Sequence, residues 1–273
     1  MGALTLRLDY VWAGLAIVRR DWTLFKSYKL RVPMTLLATL FSLSLFYFIS
    51  RLVSVEAFRT PDDYYAFVVV GLVILAVLTS TLTQPPAVIR QELVAGTFER
   101  LLITPLGAVL GVVSMLIFPL FFAMAQGIVT LAIAALVFDL SLEWSTAALA
   151  LPVALLGALA FMPFGVLMAA LTVSVKQAVA GTGFVLGGIS IVAGLYFPVA
   201  LLPDWVQWTS EVQPFTPAVD LLRNLLVGTP LQDPAWVALL KLAGFSAVLL
   251  PISIWALSRA VRAGQRRGTI LEF

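Results

Sequence analysis

Residues 64–88 read YYAFVVVGLVILAVLTSTLTQPPAV, a run that contains no charged side chain. About 20 apolar residues in helical form cross the hydrocarbon of a bilayer, where backbone groups must satisfy one another. This run is therefore predicted to be a membrane-spanning helix. Working outward, similar apolar runs occupy 32–50 before it and 106–138, 147–172, 178–196 and 236–257 after it. Pro33 stands in the first turn of the first run, where a helix tolerates proline. The 106–138 run exceeds a single crossing, which predicts a protruding end or a bend at Pro119. The expected fold is all-α and integral to the membrane, with six transmembrane helices in one domain over residues 1–273.

Composition agrees. Hydrophobic residues make up 61% of the 273 positions and charged ones 11%. A soluble domain has about 45–50% and about 25% respectively. Mean hydropathy is +1.04. There is no histidine and no cysteine. That excludes disulfides, imidazole or thiolate metal sites and histidine-based nucleophilic catalysis, so no metal ligand and no catalytic residue is assigned. No Gly-Lys dipeptide occurs, hence no phosphate-binding P-loop. Energy from nucleotide hydrolysis would have to come through another chain. The runs hold one charged residue, Lys241, near an end. Ion-coupled carriers usually carry more charge inside their spans, although unwound carbonyls can bind sodium.

Topology is read from the basic residues. With six spans, thirteen of the seventeen Lys and Arg fall on the side that holds both termini, and nine of the fourteen acids fall on the other. Both termini are expected in the cytoplasm, in a multi-pass protein of the inner or plasma membrane. Charges such as Arg7, Asp9 and Arg19 interrupt the first 31 residues, so no cleavable signal peptide is expected. The basic ends suit anionic lipid headgroups rather than nucleic acid.

Three non-spanning segments carry information. Residues 1–31 alternate apolar and basic positions, with Trp12, Trp22, Phe25 and Tyr28 among the charges, and predict an amphipathic interfacial helix. Residues 90–104 predict a short amphipathic helix. In it Leu93, Phe98, Leu101 and Leu102 face the spans, and Glu92, Glu99 and Arg100 face water as a docking surface for a soluble partner. Residues 197–235 are too apolar for a solvated loop and too broken by proline for a span. Outer re-entrant half-helices fit them, with Trp205 and Trp208 at headgroup depth and an Asp220–Arg223 ion pair within one helix. Within the spans, Phe118, Phe122, Gln126 and Phe184 are candidates for a substrate path. Gly107 with Gly111, Gly183 with Gly187 and Ala123 with Gly127 permit close helix approach.

The string Glu92, Gly96-Thr97, Glu99-Arg100-Leu101 and Thr104-Pro105 before the third run resembles the ABC-2 family of transporter permeases. So do Gly194, Phe197-Pro198, Leu202-Pro203 and Trp205 after the fifth, followed by Pro217, Asp220 and Leu222-Arg223. The resemblance implies a permease homodimer, or sometimes a heterodimer, with two cytosolic ATPase subunits. ATP and Mg would sit on those partners, with no cofactor and no catalysis on this chain. It places Glu92, Gly96, Thr97, Glu99 and Arg100, with Arg90 beside them, in the coupling region. An outer gate would comprise Gly194, Phe197, Pro198, Pro203, Trp205, Pro214, Asp220 and Arg223. The expected function is export of a hydrophobic or amphipathic small molecule, drug or lipid-linked substrate. The alternatives are a polysaccharide or lipid-linked glycan exporter and an ion-coupled carrier acting without an ATPase.

Overall fold

The computed structural model describes residues 2–53, 58–98, 107–175 and 181–267, and every regular element among them is helical. In chain order these are α1 (Gly2–Ser27), α2 (Arg31–Leu52), α3 (Pro61–Val94), α4 (Gly107–Val137) and α5 (Trp144–Val175). Then follow α6 (Thr182–Val192), a 3-10 turn (Val199–Leu201), α7 (Asp204–Val212), α8 (Phe215–Val227) and α9 (Ala235–Arg267). Five helices are long and apolar enough to span a membrane: α2, α3, α4, α5 and α9. The 178–196 run yields only α6 among the described residues. Its 11 residues reach about 17 Å at 1.5 Å per residue, too short to cross alone.

Helix α3 starts where the sequence dictates. Thr60 and Asp63 form a reciprocal cap, with the Asp63 N–H donating to the Thr60 hydroxyl at 3.2 Å and the Thr60 N–H to the Asp63 carboxylate at 3.0 Å. Pro61 occupies the first helical position. The helix then runs 34 residues, through Pro85 and Pro86, to Val94. The helix expected over 90–104 is thus not a separate element at its start, since 90–94 form the last turn of α3. The prolines do not break α3 because α5 packs against them. Pro85 has no N–H to offer the Thr81 carbonyl. Gly165 of α5 lies so close that a Cβ there would sit 1.9 Å from that oxygen.

The core is distributed along the bundle. Near α1, Ile89, Leu93, Met115, Val173 and Leu257 bury one another. Near α8, Ile74, Phe161, Leu195, Phe215 and Leu242 do the same. A third cluster joins Leu43, Tyr65 and Ala134. Helix α5 is wedged between α3 and α9. Helix α2 stands outermost and exposes Met34, Leu37, Phe41, Leu45 and Phe48.

Candidate functional site

At the α1 end of the bundle, α3 finishes in a left-handed turn. Gly96 has φ 65°. Its N–H donates to the Leu93 carbonyl at 3.1 Å and the Thr97 N–H to the Glu92 carbonyl at 2.9 Å, the paired bonds of a Schellman stop. Phe98 is buried beside this turn in the core cluster of Ile89 and Val112 and clamps it to the bundle. The Glu92 carboxylate accepts a short hydrogen bond from the Thr97 hydroxyl and a second at 3.3 Å from the Arg20 guanidinium of α1. Arg20 also pairs with Asp21 at 3.1 Å. Arg90, two residues before Glu92, is exposed. Glu99, Arg100, Leu101 and Leu102 lie outside the described residues.

Glu92 is therefore no freely solvated docking acid. Its side chain is 17% exposed and ties the interfacial helix to the end of a span. Residue patterning placed Glu92 at this rim but missed Arg20, because the partner lies 72 positions away.

Aromatic contacts seat α1 further. Phe25 packs on Phe118 and Phe122 of α4 with ring centroids 5.7 and 5.1 Å apart, and Trp22 stacks on Phe25 at 5.8 Å. Next to this cluster, a cavity of about 1080 Å³ opens between α2 and the α3–α4 pair. Phe118, Phe122 and Gln126 line it. Phe184 does not: it lies on α6 with 88% of its surface exposed.

At the opposite end, α7 and α8 fold back onto the spans. Gly194 has φ 67°, and a Cβ on it would meet the Val199 side chain at 2.7 Å. Phe197 and Pro198 are half-buried and lead into the 3-10 turn. Pro203 precedes α7, whose Trp205 and Trp208 are exposed, and Pro214 is buried before α8. Ser210 donates to the Val192 carbonyl at 2.7 Å. Phe215 packs on Phe161 and Phe164 at 4.7 and 5.0 Å.

The expected Asp220–Arg223 pair does not form. Arg223 is buried and turns into the bundle, where it donates to the Leu195 carbonyl at 3.0 Å and the Phe67 carbonyl at 3.4 Å. Its guanidinium stands 3.3 Å from the centre of the Phe67 ring. Asp220 instead lines a cavity of about 290 Å³ together with Asp233 and Lys241, which pair with each other at 2.5 Å. Burial pushes the Asp220 carboxyl up to about 6, with the Arg223 guanidinium pulling it down and Asp233 adding to the rise.

Two curated relatives are Nodulation protein J of Rhizobium leguminosarum bv. trifolii, 32% identical over 91 residues, and Nodulation protein J of Rhizobium meliloti (strain 1021), 30% identical over 89 residues. Each match covers 33% of this chain. It spans about a third of the length of each relative, 35% and 34% respectively. The family model described as ABC-2 type transporter matches residues 13–227, which takes in α2 to α8 and both motif segments. This chain belongs to the ABC-2 type transporter family.

Proposed function

We propose that the protein is the membrane permease of an ATP-driven exporter, with two permease copies forming the pathway and two cytosolic ATPases driving it. The observation that carries this reading is the junction at Glu92. An ATPase docked on the turn at 95–97 would move the end of α3 and, through the Glu92–Arg20 pair, α1 with it. ATP binding on the partners then biases one permease state by its differential affinity for that state. Residues 90–104 act as the coupling region, and both termini lie in the cytoplasm.

Six crossings are part of the same reading. Val173 belongs to the core cluster near α1, whereas Ala193 and Leu195 belong to the cluster near α8. That separation supports a sixth lengthwise passage, with α6 as its described helical part. Residues 197–235 then form an outer re-entrant gate, which Arg223 fastens to the spans. The cargo is an amphipathic or lipid-linked molecule, suited to a cavity that combines aromatic and polar walls.

Co-purification with a P-loop ATPase, followed by hydrolysis measurements in nanodiscs, tests the proposal. Candidate amphiphiles are expected to stimulate hydrolysis. Transport by the permease alone in liposomes would favour an ion-coupled carrier and overturn it.

A further inference from the structure

Arg31, the first residue of α2, stands at the mouth of the large cavity. Its guanidinium lies 5.5 Å from the Phe25 ring centre and 5.1 Å from that of Phe122. Aromatic faces hold a cation without neutralising it. Among the described residues Arg31 pairs with no carboxylate. The other charges at this mouth, Arg20, Asp21 and Glu92, are engaged with one another. Among the described residues the mouth therefore offers one uncompensated, pre-oriented guanidinium.

Behind it the walls are polar where a span is normally apolar. Thr39 and Ser42 of α2, Thr79 and Gln84 of α3, and Gln126 of α4 line the cavity. None of these side chains has a hydrogen-bond partner among the described residues. Neighbouring hydroxyls behave otherwise: Thr35, Ser44 and Thr83 donate to the carbonyl one turn back at 2.7–2.8 Å. That is how a hydroxyl is ordinarily satisfied in a helix. All five are partly exposed to the cavity rather than spent on their own helices, so an occupant that supplies hydrogen bonds can reach them. From Arg31 to Ser42 the ladder rises about 17 Å at 1.5 Å per residue, more than half of a hydrocarbon layer about 30 Å thick.

We propose that this groove binds a phosphate-bearing amphiphile. Its phosphate sits on the Arg31 guanidinium, its polar body lies along Thr39, Ser42, Thr79, Gln84 and Gln126, and its tail leaves past the exposed face of α2. A guanidinium fork matches a phosphate bidentately. The bilayer itself supplies phosphate-ester amphiphiles to a groove walled by an outermost helix. The assignment takes its meaning from the export reading, since it names the cargo class of that pathway. Binding is nevertheless measured on the permease without an ATPase. A lost phosphate preference counts against the site, and lost hydrolysis coupling against the exporter.

The probes are dodecyl phosphate, dodecyl maltoside and inorganic phosphate, each titrated against the purified full chain in nanodiscs of neutral lipid. Dodecyl phosphate is expected to bind at least about tenfold more tightly than dodecyl maltoside, the scale of a charge-assisted hydrogen bond. Arg31→Gln should abolish that preference, Arg31→Lys should keep part of it, and Arg19→Gln on the exposed side of α1 should leave it intact. Thr39→Val with Gln126→Leu should weaken dodecyl phosphate while the chain stays monodisperse. Equal binding of the two amphiphiles, or a preference that survives Arg31→Gln, overturns the site. If inorganic phosphate competes as well as dodecyl phosphate and the Thr39→Val, Gln126→Leu chain binds normally, the groove is a free-anion site and the amphiphile assignment fails.

Discussion

Arg223 and Glu92 are charged residues put to opposite uses by their surroundings. Arg223 is buried and donates hydrogen bonds to two carbonyls, so it fastens α8 to α3 and to the turn at Leu195. Glu92 keeps partial solvent contact and a partner on another helix, which makes it a joint rather than a fastener. The joint predicts that Glu92→Arg or Arg20→Glu alone lowers transport per ATP hydrolysed, while the double swap restores much of it. The pair itself is worth only about 0.2–1 kcal/mol at this exposure, so the melting temperature should barely move. If both single reversals leave coupling unchanged, the joint plays no part in transmission. Asp220 makes a prediction in pH. Its folded pKa of about 6 lies above the unfolded value of about 3.9. The folded state therefore binds more protons in that window, and stability rises as pH falls from 7 towards 4. Thermal melts of the wild type should show this gain, and Asp220→Asn should flatten it.

Among the elements, α3 and α5 approach closely where a glycine faces a proline-freed carbonyl. Gly165→Val would drive a side chain into Thr81 and Pro85. The expected cost is about 1–3 kcal/mol, typical of overpacking, read as a lower melting temperature in detergent. Gly183→Ala and Gly187→Ala meet no atom within 4 Å on α6 and should leave that temperature unchanged. A large loss at Gly183 or Gly187 would mean that their open face is covered in the working assembly. These two glycines stood out by spacing, whereas Gly165 did not. Spacing identifies small residues on one helix, but not which of them meets another backbone.

For the molecule as a whole, the absence of cysteine permits a direct test of orientation. Single substitutions Ser27→Cys and Gln265→Cys should react with a membrane-impermeant maleimide only after the membrane is opened. Thr229→Cys, after α8, should react in intact cells. The reverse pattern would put the Glu92 junction on the far side from any cytosolic ATPase. How much of this was legible beforehand varied by element. Long uncharged runs announced α2 to α5 and α9 because crossing hydrocarbon demands length and apolarity, both of which are local. The 178–196 run was equally apolar, and its described helix ends at Val192, where the left-handed turn at Gly194 follows.

The sequence alone determined that this chain lives in lipid, holds no Gly-Lys dipeptide for a P-loop and carries its motifs between the long apolar runs. Each of these depends on which residues are present and in what order. Tertiary structure decided the partners of the charges. Arg20 met Glu92, Arg223 turned to carbonyls rather than to Asp220, and Arg31 came to rest between two rings at the mouth of a groove with polar walls. Those outcomes depend on packing between helices distant in sequence, where a side chain's energy is set by whatever desolvates it.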